Sequence, residues 1–414
     1  IEWEKSFGGG YFENPTSIDK TLDGGYIVAG STSSNDGDVS GLHGTVGYGA
    51  ATDYWIVKLD KTGKLQWQKC LGGTGSDRAT DIKTTNDGGY IIAGTSLSND
   101  GDVFGHHGAF GSNGTSDCWI VKLDKNGNIK WQKSLGGSWN DYASMIKETK
   151  AGDYIIAASS YSGDGDVSGH HGETGLYATC DSWIIKLNKY GKIIWQKSYG
   201  GSDGDGTNSV EETFDGGFIF AGSAASRDGD VTGLHYNGDG ITDCWILKTD
   251  EYGNLEWQKT FGGYDFDNAC EIHQTADSGY VFNATVGPNS DGDIQTTHLN
   301  WELCLVKLTN SGVVSWQRIL GGNGTDIQAF YGLKISDDGG YITTGGSSSN
   351  DGDVTGQHGM GGEFGTFDFW VVKLKSGNIL PLSFTSFSAS LLQTDILLNW
   401  STANETNNDY FLVE

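Results

Sequence analysis

Six short stretches of the chain place two aspartates around a glycine, with a serine or asparagine two residues earlier. The oxygen-bearing triples are Ser34/Asp36/Asp38, Ser98/Asp100/Asp102, Ser162/Asp164/Asp166, Ser226/Asp228/Asp230, Asn289/Asp291/Asp293 and Ser349/Asp351/Asp353. Oxygens at i, i+2 and i+4 of a curled loop suit a hard cation, and a glycine such as Gly37 permits the sharp turn between the carboxylates. Calcium is the expected metal. An acid downstream of each loop (Asp53, Asp117, Asp181, Asp243, Glu302, Asp368) would add oxygens toward the six to eight that calcium takes. The competing reading is that Ser and Asp fold the loop by accepting backbone N–H groups, with no metal. A histidine also recurs in register (His43, His107, His171, His235, His298, His358). One histidine per loop is short of a zinc site and fits a hydrogen bond within the loop better.

Catalysis needs a particular acid and base at one place, so sixfold repetition argues against the loops as an active site. The corresponding positions before the first turn of each repeat are instead mixed: Asp19, Lys83, Lys147, Glu211, His273 and Lys334. Glu211 and His273 are the candidate acid/base pair in that ring. The alternative is a set of mutual ion pairs without chemistry. No GxSxG, HExxH or phosphate-loop pattern occurs.

The elements that carry these residues follow from the repeat. The tryptophan of W-x-K/R stands at Trp3, Trp67, Trp131, Trp195, Trp257 and Trp316, in steps of 64, 64, 64, 62 and 59 residues. Each unit reads as four short strands, such as "TSIDKT", "GYIVAGSTS", "DYWIVKLD" and "KLQWQKCL", with Asp-Gly and Asn-Gly pairs at tight links. Four-stranded antiparallel units repeated radially predict an all-β, six-bladed β-propeller. The sixth unit lacks its fourth strand, while residues 1–8, "IEWEKSFG", are a fourth strand without a unit before them. Pairing the two closes the ring and removes its exposed edges. Eleven of the fourteen tryptophans fall at two repeat positions and are expected to pack blades rather than bind ligand; only Trp139, Trp301 and Trp400 fall outside. The repeated third-strand lysines (Lys58, Lys122, Lys186, Lys248, Lys307, Lys373) are expected as ion pairs or snorkelling stems.

Composition bounds the partners. The 414 residues carry a formal charge of −27, which speaks against nucleic acid and for solubility and attraction of cations. No apolar run is long enough to span a membrane, and no apolar signal segment opens the chain, so an exported protein would be present in its mature form. Six cysteines (Cys70, Cys118, Cys180, Cys244, Cys270, Cys304) lack CxxC spacing and are expected mostly as buried free thiols.

From Leu380 the pattern changes, so the chain divides into a propeller over 1–379 and the first strands of a further domain over 380–414. The words "LPLSFTSFSA", "LLNWSTANE" and "NNDYFLVE" resemble the immunoglobulin-like region before the sorting signal of proteins exported by the type IX secretion system of Bacteroidetes. The blade phrases "GGYIVAGST", "SNDGDVSG" and "DYWIVKLD" resemble repeat propellers of the same secreted class. The resemblance covers about 35 residues of tail and implies export to the cell surface or medium, without implying a reaction. Together these readings favour a non-catalytic, cation-stabilised surface propeller serving assembly, adhesion or filament formation, with self-assembly or cell-surface partners. The alternative is a carbohydrate-binding module or polysaccharide-degrading enzyme acting at the loop face, where Tyr48, Phe110, Tyr177, Tyr236 and Phe364 are the candidate sugar contacts.

Overall fold

The computed structural model describes residues 2–109, 114–174, 179–235, 240–288, 292–294, 300–358, 366–375, 384–392 and 395–402. It is a six-bladed β-propeller. Five sheets have four antiparallel strands in chain order, and the sixth pairs three: Asp326–Ile335, Tyr341–Ser347 and Asp368–Leu374. In blade 2 the strands are Asp77–Thr84, innermost, then Tyr90–Ser96, Asp117–Leu123 and Ile129–Leu135. Each link uses the turn chemistry written in the sequence. The Asp-Gly-Gly turn after the first strand, for example, closes with Gly88 N–H donating to Thr85 O at 2.8 Å.

Blades stack face to face, so second and third strands are covered on both sides. That is why they read as near-continuous apolar runs rather than alternating ones. Every residue of Asp117–Leu123 and Asp243–Thr249 is buried. The clusters cross blade boundaries: Ile27, Tyr54 and Ile56 of blade 1 pack with Ile82, Ile92 and Trp119 of blade 2. Tyr54 is seated over Trp119 at 4.6 Å between ring centroids and donates its hydroxyl to Trp119 O at 3.0 Å.

The repeated tryptophans pack as expected. Third-strand Trp55, Trp119, Trp183 and Trp245 each donate Nε1–H to a fourth-strand glutamine (Gln68, Gln132, Gln196, Gln258) at 2.6–2.9 Å. Each fourth-strand tryptophan lies on the next blade, Trp67 on Tyr90 at 5.8 Å and Trp131 on Tyr154 at 5.9 Å. The lysines are ion pairs: Lys58, Lys122, Lys307 and Lys373 reach Asp23, Asp87, Asp277 and Asp338 at 2.7–3.0 Å. Blade 3 has Ala151 where the others have that aspartate, and Lys186 lies instead over the Phe218 ring at 5.3 Å. All six cysteines are free thiols.

One junction differs from the rest. Trp3 takes the fourth-strand seat against blade 1, 5.7 Å from Tyr26, but residues 2–9 are not assigned to a strand and form no ladder with Asp368–Leu374. The facing surfaces stay open. Phe369 is fully exposed where Tyr54, Cys118, Cys244 and Leu303 are buried, and Ile18 is 61% exposed where Ile82, Ile146 and Ile272 are at 0%. The tail contributes an antiparallel pair, Phe384–Leu392 with Asp395–Thr402, the two strands its alternation predicts. An immunoglobulin-like domain is more than these two strands show.

Candidate functional site

The Asp-Gly-Asp loops and the Gly-Gly links between blades meet at one rim, and there the loops act as clamps. In blade 2, Thr74 N–H donates to Asp100 Oδ1 at 2.7 Å, and Thr74 Oγ1 donates to Asp100 Oδ2 at 2.8 Å. Gly75 N–H donates to Ser98 Oγ at 2.9 Å. Asp164 with Ser138, Asp228 with Ser202 and Asp351 with Asn323 repeat the first bond at 2.7 Å, and Asp36 makes it with Gly10 N–H. Ser34, Ser162, Ser226 and Ser349 accept from Tyr11, Trp139, Asp203 and Gly324 at 2.8–3.0 Å.

The second aspartate of each loop docks on the link through its backbone. The N–H groups of Asp38, Asp102, Asp166, Asp230 and Asp353 donate to the carbonyls of Gly8, Gly72, Gly136, Gly200 and Gly321 at 2.8–2.9 Å. The side chains of Asp38 and Asp230 accept in return from Gly8 and Gly200 N–H, at 3.2 and 3.3 Å. Asp353 Oδ1 instead lies 3.7 Å from the Arg318 guanidinium. The central glycine must be glycine. Gly101 has φ of +63°, and a Cβ there would lie 2.4 Å from Gly72 O.

Beneath each clamp sits an acid, buried in blades 2 to 6, that the spacing GG-x-x-x-D/E marks in every unit. Asp77 accepts from Gly73 N–H at 2.8 Å, Ser98 Oγ at 2.9 Å and Ser96 Oγ. Asp141, Asp205 and Asp326 repeat the bond to the Gly-Gly link, and Glu13 and Asp267 keep it. The acid opening each third strand lies close by. A Cβ on Gly72 would be 2.5 Å from Asp77 Oδ2 and 2.9 Å from Asp53 Oδ1. Asp53, Asp117 and Asp181 each leave Oδ1 buried without a hydrogen-bond partner. Burial, opposed by the bonds they accept, pushes Asp77, Asp141 and Asp267 up to about 7, and burial raises Asp53 and Asp243.

Four of the six recurring histidines bridge blades, while His358 pairs with Asp368 of its own blade. His43 Nδ1 is 2.7 Å from Asp53 Oδ2 in its own blade, and its Nε2 is 3.7 Å from Asp102 Oδ2 of the next. His107 spans Asp117 and Asp166 in the same way, His171 spans Asp181 and Asp230, and His235 spans Asp243 and Asp293. The bond to Asp117 raises the His107 pKa; for His43, burial pulls down but Asp53 and its neighbours outweigh it. Asn289, Asp291 and His298 lie outside the described residues, as do Phe110, Tyr177, Tyr236 and Phe364. Asp293 N–H still donates to Gly262 O at 3.0 Å, so blade 5 keeps part of the clamp.

Five of the triples expected to hold calcium also hold the neighbouring link. Ser34/Asp36/Asp38, Ser98/Asp100/Asp102, Ser162/Asp164/Asp166, Ser226/Asp228/Asp230 and Ser349/Asp351/Asp353 turn their loops toward donors on the neighbouring link. In the second position the difference from a ligand cage is plainest, since Asp230 and Asp353 face a histidine and an arginine. Among the described residues no three His, Cys, Asp or Glu side chains converge as metal ligands.

At the axis the ring of mixed residues is one connected network. The innermost strand is the edge of each sheet, so its outward N–H groups need acceptors from the neighbouring blade. Asp81 accepts Ile146 N–H at 3.1 Å, Ser209 accepts Ile272 N–H at 3.2 Å and Glu271 accepts Leu333 N–H at 2.8 Å. Asp19 and Glu211 do the same two residues further along, for Thr84 and Gln274. Glu211 and His273 do meet, at 2.6 Å through Nδ1. The other ring nitrogen, Nε2, is 2.9 Å from Leu333 O and 3.1 Å from Glu271 Oε1. Lys147 reaches Glu211 at 3.1 Å, and Lys334 pairs with Glu271 at 2.6 Å. Burial disfavours both charged carboxylates, yet His273 and the lysines hold Glu211 and Glu271 down to about 2. Burial works against the imidazolium too, and the two glutamates outweigh it, raising His273. Beside this network lies a cavity of about 460 Å³ lined by Asp19, Lys83, Lys147, Glu271 and Lys334.

No family model matches the chain, and neither does any curated protein. Among solved structures it is similar to a family PL25 ulvan lyase bound to a GlcA–Rha3S saccharide, at TM-score 0.48 and 11% identity over 90% of this chain and 83% of that one. It is also similar to a putative gluconolactonase (TM-score 0.38, 13% identity, 88% and 91% covered). A Bacteroides caccae protein of unknown function gives TM-score 0.38 at 10% identity, covering 70% and 78%. Likeness at these levels carries no functional argument.

Proposed function

We propose that this chain is a non-catalytic extracellular or cell-surface propeller, a rigid platform for surface assembly, adhesion or filament formation. The observation that carries the reading is the closed acid/base pair at the axis. A general acid needs a proton free for substrate, and Glu211 and Glu271 are instead taken up by Lys147, Lys334 and His273, whose own protons are shared among these partners. A general base needs a free nitrogen, and both nitrogens of His273 face acceptors. The rim motif is likewise taken up by blade construction. Export rests on the resemblance of the tail to type IX cargo.

Two measurements test this. Protease applied to intact host cells should release propeller peptides from the surface; their retention inside the cells would contradict the location. Incubation with a panel of polysaccharides should release no new chain ends, and release that disappears in His273→Asn would contradict the absence of catalysis.

A further inference from the structure

Among the described residues, three aromatic clusters stand on the rim, in blades 1, 3 and 5. In blade 1, Tyr11 and Phe12 of the link both meet Tyr48 of the long loop at 5.2 Å. In blade 3, Trp139 lies on the link, and Tyr142 packs edge-on against Tyr161 at 6.3 Å. In blade 5, Phe266 stacks with Trp301 at 6.5 Å and an interplanar angle of 23°, with Tyr264 nearby in sequence. Blades 2, 4 and 6 carry Gly75-Ser76, Asp203-Gly204 and Gly324-Thr325 where blades 1 and 5 have Tyr11-Phe12 and Asp265-Phe266, and they fold through the same clamp. Blade construction therefore does not need these rings. They are also costly where they stand: Tyr48 is 74% exposed, Phe12 64%, Tyr264 47%, Phe266 46% and Tyr142 40%.

We propose that these clusters are three stations for a neutral polysaccharide, each stacking a sugar ring through its C–H face. The proposal deepens the reading of the propeller as a non-catalytic surface platform and rests on it. Two features favour this ligand. The backbone that carries the rings is fixed before binding: Tyr11 and Trp139 donate their N–H groups to clamp serines, and Tyr161 N–H is held by Asn140 O at 3.0 Å, so little backbone freedom is lost. The exposed Asp36, which accepts Gly10 N–H next to Tyr11, keeps acceptor capacity for sugar hydroxyls, while a net charge of −27 repels a polyuronate or sulfated chain. Stations on alternate blades let one long chain, or several chains of a matrix, engage more than one at once, which multiplies weak contacts.

Native electrophoresis through gels cast with a soluble β-glucan, a xylan, a galactomannan or polygalacturonate tests this. Retardation is expected in at least one neutral gel and not in polygalacturonate. Tyr48→Ala, Tyr142→Ala and Phe266→Ala should each weaken retention on the order of 3- to 10-fold, and the triple variant should abolish it. Tyr190→Ala, at an exposed ring in a third-to-fourth strand turn, should bind as wild type, and melting curves should show all variants folded. No retardation in any neutral gel, unchanged retention in the triple variant or preference for polygalacturonate would each overturn the stations. Chain-end release measured in parallel separates the two claims: release with station-dependent binding sinks the non-catalytic reading alone, and absence of both binding and release sinks the stations alone.

Discussion

The rim and the axis solve the same problem in opposite styles. At both places backbone N–H groups of a link or edge strand need acceptors. The rim meets the need with one motif repeated around the ring, Ser98, Asp100 and Asp102 over Gly72-Gly73 in blade 2 and their counterparts elsewhere. The axis meets it with Asp81, Ser209, Glu271, Asp19 and Glu211, a different residue in almost every blade. Repetition at the rim looks like a binding motif and variety at the axis looks like an active site. Both also serve construction, and among the described residues the aromatic clusters of blades 1, 3 and 5 are a departure from sixfold order that construction does not explain.

Removing the buried acid at the rim should have the largest effect. Asp77→Ala leaves Gly73 N–H and two serine hydroxyls without an acceptor, and should destabilise by about 3–5 kcal/mol, seen as a lower Tm. The rim should also govern the response to pH. Asp77, Asp141 and Asp267 sit at about 7, above the unfolded value of 3.8, so their stabilisation is full below about pH 4 and fades as pH rises through 7. His43 and His107, also raised, act with the same sign. Glu211 and Glu271 at the axis, and Asp87 beside Lys122, are lowered to about 2 and lose their contribution as pH falls from about 4 toward 2. Tm should therefore peak near pH 4 and fall by about 4 °C by pH 8.5; a maximum above pH 8 would contradict the raised rim acids. A smaller loss is expected at the axis. His273→Asn removes the bridge between Glu211 and Glu271 and should cost about 2 kcal/mol, with Glu271→Gln partly restoring the double variant.

Much of this was legible in the sequence. The spacing of Trp67, Trp131 and Trp195 is enough for the blades, and repetition narrows Lys58 and Lys122 to ion pairs or snorkelling stems, between which the structure decides for ion pairs. The loop oxygens were found, but their partners were not, because the Gly-Gly link that they hold lies 26 to 30 residues away in blade 2. Asp230 and Asp353 show the same gap, since the Gly200 and Gly321 carbonyls that receive their N–H groups belong to the preceding link. The GG-x-x-x-D/E spacing was available as a signal, and Asp77 would have been its answer. Residues 2–9 illustrate the limit of pattern. Trp3 finds its seat by matching the repeat, whereas the ladder to Asp368–Leu374 depends on how blade 6 meets blade 1, which local sequence does not encode.

The central claim is that the Asp-Gly-Asp loops stabilise the ring by accepting backbone hydrogen bonds. Calcium at Ser34, Asp36, Asp38 and their counterparts would stabilise it by a different route, and chelation separates the two. Melting curves in excess chelator and in millimolar calcium should superimpose. A Tm that drops in chelator and returns with calcium would contradict the clamp and place a cation at the rim.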